Sequence, residues 1–203
     1  MQQSVSVLGV FCVGGQVAVM DLYEGLLQRV SQPVLNGDGP DFDTLKACIQ
    51  AAICAPDHRA LQPWRFVLVR DSARIRLAEL YRASQKSLHP EYREAELDRL
   101  AQQPLRAPVL VFSVAIVRPD APVPEREQWL SCGAATQNLI LALQAHGWDS
   151  IWRTGALAED PAVRSALRLL AYEHVAAVVY TGHCSHPRRV ERPDAAGFLE
   201  EWL

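Results

Sequence analysis

The chain has 203 residues, 49% hydrophobic and 21% charged, with a formal net charge of −3. That length can bury one full core and sits near the upper end of a single domain. The composition excludes a disordered chain, and no Lys or Arg block supplies the electrostatic footprint of a nucleic-acid binder.

Residues 5–13 are apolar, but no cation precedes them and the run is shorter than the roughly 20 apolar residues that span a bilayer. A secretory signal would need a positive n-region, which is absent. Residues 1–19 are therefore read as an extension of doubtful role, ahead of a single domain over residues 20–203, and no contact with membrane or nucleic acid is expected. From Met20 the run M-D-L-Y-E-G-L-L-Q-R-V sets Leu22, Leu26 and Leu27 on one helical face. In a second helix, capped by Asp41 or Asp43, Leu45, Cys48, Ile49 and Ala52 form an apolar stripe.

Pro56 stops that helix, because it lacks an amide hydrogen and disfavours helical geometry in the residue before it. A polar loop follows with Asp57, His58, Arg59 and Gln62. Pro63 then leads into residues 64–69, aromatic and β-branched, which read as a buried strand. Polar side chains between a helix end and a strand are placed either to meet a ligand or simply to be solvated.

Asp71 or Ser72 starts a third helix through Leu77 and Leu80. Residues 85–103 are strongly polar and read as a solvated helical excursion. The near-continuous apolar run at 107–117 predicts a strand buried on both faces. After the stiff segment with Pro119, Pro122 and Pro124, Glu125 opens a long helix. Its centre, Leu139, Ile140, Leu141 and Leu143, is apolar almost all round, and Gly147 ends it. A short strand at 150–152, a helix at 161–170 and a strand at 175–181 complete the pattern. The tail from His183 carries arginines and an apolar end at Phe198, Leu199, Trp202 and Leu203.

Five cysteines, Cys12, Cys48, Cys54, Cys132 and Cys184, include no C-x-x-C pair. An odd set argues against a disulfide framework and for a reducing, cytoplasmic setting. Cys48 and Cys132 fall in helical patterns and read as small core residues. His183, Cys184 and His186 lack the separated ligand sets of a zinc site. There is no G-x-G-x-x-G after a strand and no G-x-S-x-G elbow, so neither a Rossmann site nor a hydrolase is supported.

Four stretches, taken together, resemble the nitroreductase family of FMN-binding flavoproteins, most closely its short YdjA-type branch. They are A-P-D-H-R-A-L-Q-P-W from Ala55, S-C-G-A-A-T-Q-N-L-I-L-A-L-Q-A-H-G from Ser131, I-W-R-T-G from Ile151, and L-Q-R-V-S from Leu27, a reduced form of the family's R-R-S-x-R motif. The resemblance runs from about Met20 to the C-terminus in the family's order.

The resemblance implies an α+β fold, a mixed sheet flanked by helices, in a homodimer with FMN at the interface. It implies hydride transfer from NAD(P)H through the flavin to a small acceptor such as a nitroaromatic or quinone. Arg29, Val30 and Ser31 would lie at the phosphate, with Val30 and Val34 standing where the motif has further arginines. Taken alone, Arg29 and Ser31 would instead read as an exposed helix-terminal arginine and a capping serine. Cys54 stands where the branch often has another arginine.

Arg189 and Arg192 fall where the family supplies basic phosphate ligands, or are a solvated charge run. Trp152, Arg153 and Thr154 would meet the flavin near N5, although Trp152 also suits a core position. His58 matches a residue that touches the flavin of the neighbouring subunit. No catalytic acid or base is identified. Two alternatives stay open: a flavin-binding or interaction protein of this fold without turnover, and a related flavin reaction such as ene reduction, dehalogenation or flavin cleavage.

Overall fold

A computed structural model describes residues 11–13, 16–18 and 21–202. Strands β1 (Phe11–Val13) and β2 (Gln16–Ala18) pair antiparallel. The rest of the expected extension, and Met20, lie outside the described residues.

Helix α1 (Leu22–Gln28) begins at Asp21, whose carboxylate accepts from Tyr23 N at 2.9 Å and Glu24 N at 3.1 Å. Its apolar face is turned outward: Leu22, Leu26 and Leu27 are exposed and only Gly25 is buried. Helix α2 (Phe42–Ala52) is capped by Asp41, which accepts from Thr44 N at 2.8 Å. The stripe of Leu45, Cys48 and Ala52 is buried, as its spacing demands.

The central sheet contains β3 (Trp64–Arg70), β4 (Val109–Ile116), β5 (Asp149–Arg153) and β6 (Glu173–Gly182), in the order β3-β4-β6-β5. Every neighbouring pair is antiparallel, so the fold is α+β but the expected mixed sheet is not found among the described residues. The connections explain this. Helices α3 (Ser72–Leu88) and α4 (Glu94–Ala101) go out and back, returning the chain beside the end of β3. Helix α5 (Glu125–Ala145) crosses the sheet once, which gives β4 and β5 the same direction, and β6 then inserts between them.

Seven of the eight β4 residues are buried, because helices cover both faces. On one face, Val109, Val111, Ala177 and Val179 pack with Leu45 and Cys48 of α2 and Leu139 and Leu143 of α5. On the other, Leu110, Phe112, Val178 and Tyr180 pack with Leu77 and Tyr81 of α3 and with Val163 of α7 (Pro161–Ala166). Strand β3 is an edge strand rather than a buried one, and its residues 65–68 are only half-buried. The polar excursion is part of the fold as well as solvated, since Gln85 and Leu97 are buried and Gln85 Nε2 donates to Asp160 Oδ2 at 2.9 Å.

Asp160 also caps α7, between that helix and the short α6 (Ala156–Glu159). The helix expected over 161–170 stops at Ala166, and Arg168 adopts φ +53°. Burial pushes the Cys48 and Cys132 thiols up to about 12, which suits core residues rather than nucleophiles. No helix among the described residues is long and apolar enough to cross a membrane.

Candidate cofactor site

Arg29 follows α1, and the extended segment beyond it runs beside β5, where Gln32 N donates to Ser150 O at 3.0 Å. Gln32 is buried and clamps the C-terminal tail: its Oε1 accepts from Arg188 N at 2.9 Å and its Nε2 donates to Arg188 O at 3.4 Å. Asn36 and His183 exchange backbone hydrogen bonds of 2.9 and 3.1 Å, extending the seam.

This seam brings Arg192 to Arg29, where its guanidinium donates to the Arg29 carbonyl. Arg29 Nη1 lies 3.5 Å from Ser31 Oγ. Partial burial, and then the neighbouring Arg192 cation, hold the Arg29 guanidinium below its ordinary value. Among the described residues neither arginine is in an ion pair with a carboxylate. Two facing cations repel, and an anion seated between them would remove that penalty. Beside them opens a cleft of about 300 Å³, lined by Arg29, Val30, Gln32, Gln144, Trp148 and Asp149 among others. Arg189 is exposed on the same tail segment.

Strand β5 separates two expected flavin contacts. Trp152 pairs with Val179, on the α5 face, and Arg153 with Val178, on the opposite face. Trp152 is 36% exposed. Arg153 Cζ lies 5.8 Å from the Tyr180 ring, and its buried Nε has no hydrogen-bond partner. Thr154 is exposed, and Gly155 follows with φ +118° and ψ −163°, a conformation open essentially to glycine alone.

His58 and Cys54 belong to another part of the subunit. The exposed Cys54 thiol turns back to donate to Gln50 O at 3.3 Å. His58 Nδ1 is 2.7 Å from Glu127 Oε2, in the first turn of α5. At the far end of that helix Gln144 Nε2 donates to Gly25 O of α1 at 3.0 Å. At 1.5 Å per residue the two ends are about 25 Å apart. Within one chain Arg29, Ser31 and Arg192 thus lie together, while His58, held by Glu127, lies toward the other end of α5. Gln32, Gln144 and Glu127 carry no mark in the sequence. Each acts on a group distant in the chain and belongs to no local motif.

The Nitroreductase family profile matches residues 26–183. The protein named "Putative NAD(P)H nitroreductase YdjA" of Escherichia coli (strain K12) is 31% identical over 163 residues, 80% of this chain and 88% of YdjA. The chain belongs to the nitroreductase family.

Solved structures share the fold of this nitroreductase-family chain. The nitroreductase-like family protein from Bacillus cereus superposes with a TM-score of 0.77 at 18% identity, covering 92% of this chain and 98% of that one. A mutant form of the FMN and NADPH-dependent nitroreductase NfnB from Sphigopyxis sp. strain HMH gives 0.69 at 19% identity, covering 90% and 99%. At these identities the likeness concerns the fold alone. The family match ends at residue 183, and beyond it the contact between the Arg192 guanidinium and the Arg29 carbonyl is a feature of this chain's own geometry.

Proposed function

We propose that the protein is a homodimeric, cytoplasmic FMN-dependent oxidoreductase that passes hydride from NAD(P)H to a small acceptor such as a nitroaromatic or quinone. The observation that carries this reading is the convergence of Arg29 and Arg192, neither in an ion pair, beside Ser31 and an open cleft. A phosphate of charge near −2 suits that donor set, since charge-assisted hydrogen bonds are the strong ones. The names of YdjA and NfnB support NAD(P)H as donor and FMN as cofactor.

Bound FMN would supply the relay of two electrons between donor and acceptor. The chain would anchor its phosphate through Arg29, Ser31 and Arg192, and Trp152 would border the ring on the α5 side. With no dinucleotide-binding motif, donor and acceptor would use one open face in turn.

A second copy completes the site in this reading. His58 lies about 25 Å along α5 from the phosphate end, a separation that suits a residue serving the partner's flavin. The outward apolar face of α1, the groove lined by Leu22, Ala47, Ala51, Leu141 and Ala142, and the exposed Phe198, Leu199 and Trp202 offer surface for such a partner. Cys48, Cys54, Cys132 and Cys184 are unpaired, which agrees with a reducing compartment.

The test is the absorbance spectrum of purified protein, followed by anaerobic addition of NADH and NADPH. Yellow protein that bleaches with either nicotinamide is expected. Flavin that only dithionite bleaches would favour a binding protein without turnover, the reading suggested by Val30 and Val34 in place of arginines.

A further inference from the structure

The loop from Asp57 to Gln62 is the most strained segment described. Arg59, Ala60 and Gln62 have φ of +62°, +50° and +50°, three of the five non-glycine residues with positive φ among those described. Such conformations cost about 1–3 kcal/mol each and persist where surrounding contacts impose them, often at functional sites.

Three polar tethers impose them here. Asp57 Oδ2 accepts from Gln62 N at 2.7 Å, Arg118 Nη1 donates to Leu61 O at 3.3 Å, and His58 Nδ1 meets Glu127 Oε2 at 2.7 Å. The third is chemically distinct, because it joins an imidazole to a carboxylate while both remain partly exposed, at 51% and 37% of the side chain. A carboxylate that takes the Nδ1 hydrogen fixes the tautomer and leaves Nε2 as the nitrogen that can serve another group.

We propose that His58 is the proton donor of the acceptor half-reaction, with Glu127 as its positioning residue. This rests on the reading above, in which His58 serves the partner's flavin. Reduction of a quinone to a hydroquinone takes two electrons and two protons. A hydride from the reduced flavin carries both electrons and one of the protons, so the hydroquinone anion it forms needs one proton more. Nε2–H of the doubly protonated His58 gives that proton to the anionic oxygen. The imidazole is left neutral, with its remaining hydrogen on Nδ1 held by Glu127, and solvent restores the proton on Nε2. Reduction of flavin by nicotinamide moves hydride alone and makes no use of the pair.

The two halves are separated by anaerobic stopped flow with 1,4-benzoquinone as acceptor. In His58→Gln, reoxidation by the quinone should slow about 100-fold relative to reduction by the nicotinamide, the low end for general acid catalysis. Glu127→Gln should lose part of the same step. Deuterated solvent should slow reoxidation in the wild type and not in His58→Gln.

Independently of turnover, nitrogen NMR of the flavin-free protein should find neutral His58 with its hydrogen on Nδ1, shifting to Nε2 in Glu127→Ala. Unchanged reoxidation in His58→Gln, equal loss in both halves, or an Nε2–H tautomer in the wild type would overturn the proposal. Wild-type flavin that neither nicotinamide reduces would instead overturn the function on which it rests, while the tautomer result still reports on the pair.

Discussion

Arg29 owes its surroundings to Arg192, a residue 163 positions away. The motif L-Q-R-V-S marks Arg29 and Ser31 in the sequence, whereas Arg192 is one of several tail arginines that a solvated charge run would explain equally well. Only the Gln32 clamp on the Arg188 backbone distinguishes them, and a contact to backbone leaves no signature in either residue's type. Arg29→Ala should weaken FMN binding by about one to two decades, following the roughly 1.5–3 kcal/mol of a hydrogen bond to a charged group. Arg192→Ala should do the same. Fluorescence titration of FMN would measure both, and unchanged affinity in either variant would remove that arginine from the phosphate. Trp152 and Arg153 carry a different lesson. Adjacent strand residues point to opposite faces, so a flavin beside Trp152 would meet Arg153 through its backbone rather than its side chain.

At the scale of elements, the end of β6 nearest the strained loop is held by Arg65 and Glu173. Arg65 Nε and Nη2 each donate to a different Glu173 oxygen at 2.7 Å, and Leu170 N donates to Oε2 at 2.9 Å. Hydrogen bonding from Arg65 lowers the Glu173 carboxyl pKa, against the opposing effect of burial. Glu173→Gln should cost about 3 kcal/mol, the low end for breaking a buried pair because Arg65 is one-third exposed. A lowered native pKa places the sign: the stabilisation is full above the unfolded carboxyl value of about 4.3 and is lost as pH falls through the native one. Melting temperatures of wild type and variant should therefore converge in acid. A gap that stayed constant down to low pH would show that the charge of Glu173 contributes nothing.

Elements themselves are readable where local chemistry decides them. The Asp41 cap, the α2 stripe, the both-face burial of β4 and the start of α5 at Glu125 all appear as expected. Edge position, as in β3, is not readable, because apolar residues on an edge strand can await a neighbour that the chain's own pattern does not name. The antiparallel insertion of β6 escapes for a related reason: strand order is a property of non-local pairing, and the segment's composition is the same in either arrangement.

For the whole molecule, the separation of His58 from the Arg29 group makes assembly a functional question. Sedimentation should find a flavin-containing dimer, with an interface of roughly 2,000 Å² or more if it is obligate. A stable flavin-containing monomer with full activity would contradict the two-subunit site. Removing residues 1–19 should leave melting temperature and flavin content unchanged, since the contacts described at the site begin at Gly25; a large loss of either would make the extension part of the domain.

The strand order also has a consequence for the birth of the protein. Strand β5 leaves the ribosome before β6, yet β6 is its only neighbour among the described strands, and β4 likewise keeps one bare side until Glu173–Gly182 emerges. Chains are made at about 5–20 residues per second, so through the whole synthesis of α5, α6 and α7 the most apolar strand of the molecule waits half-paired. The segment that docks beside Arg29 and Gln32, from Arg188 to Arg192, comes later still. A nascent chain arrested before residue 173 therefore cannot complete its sheet, and the bare edge of β4 is then a template for pairing with another chain.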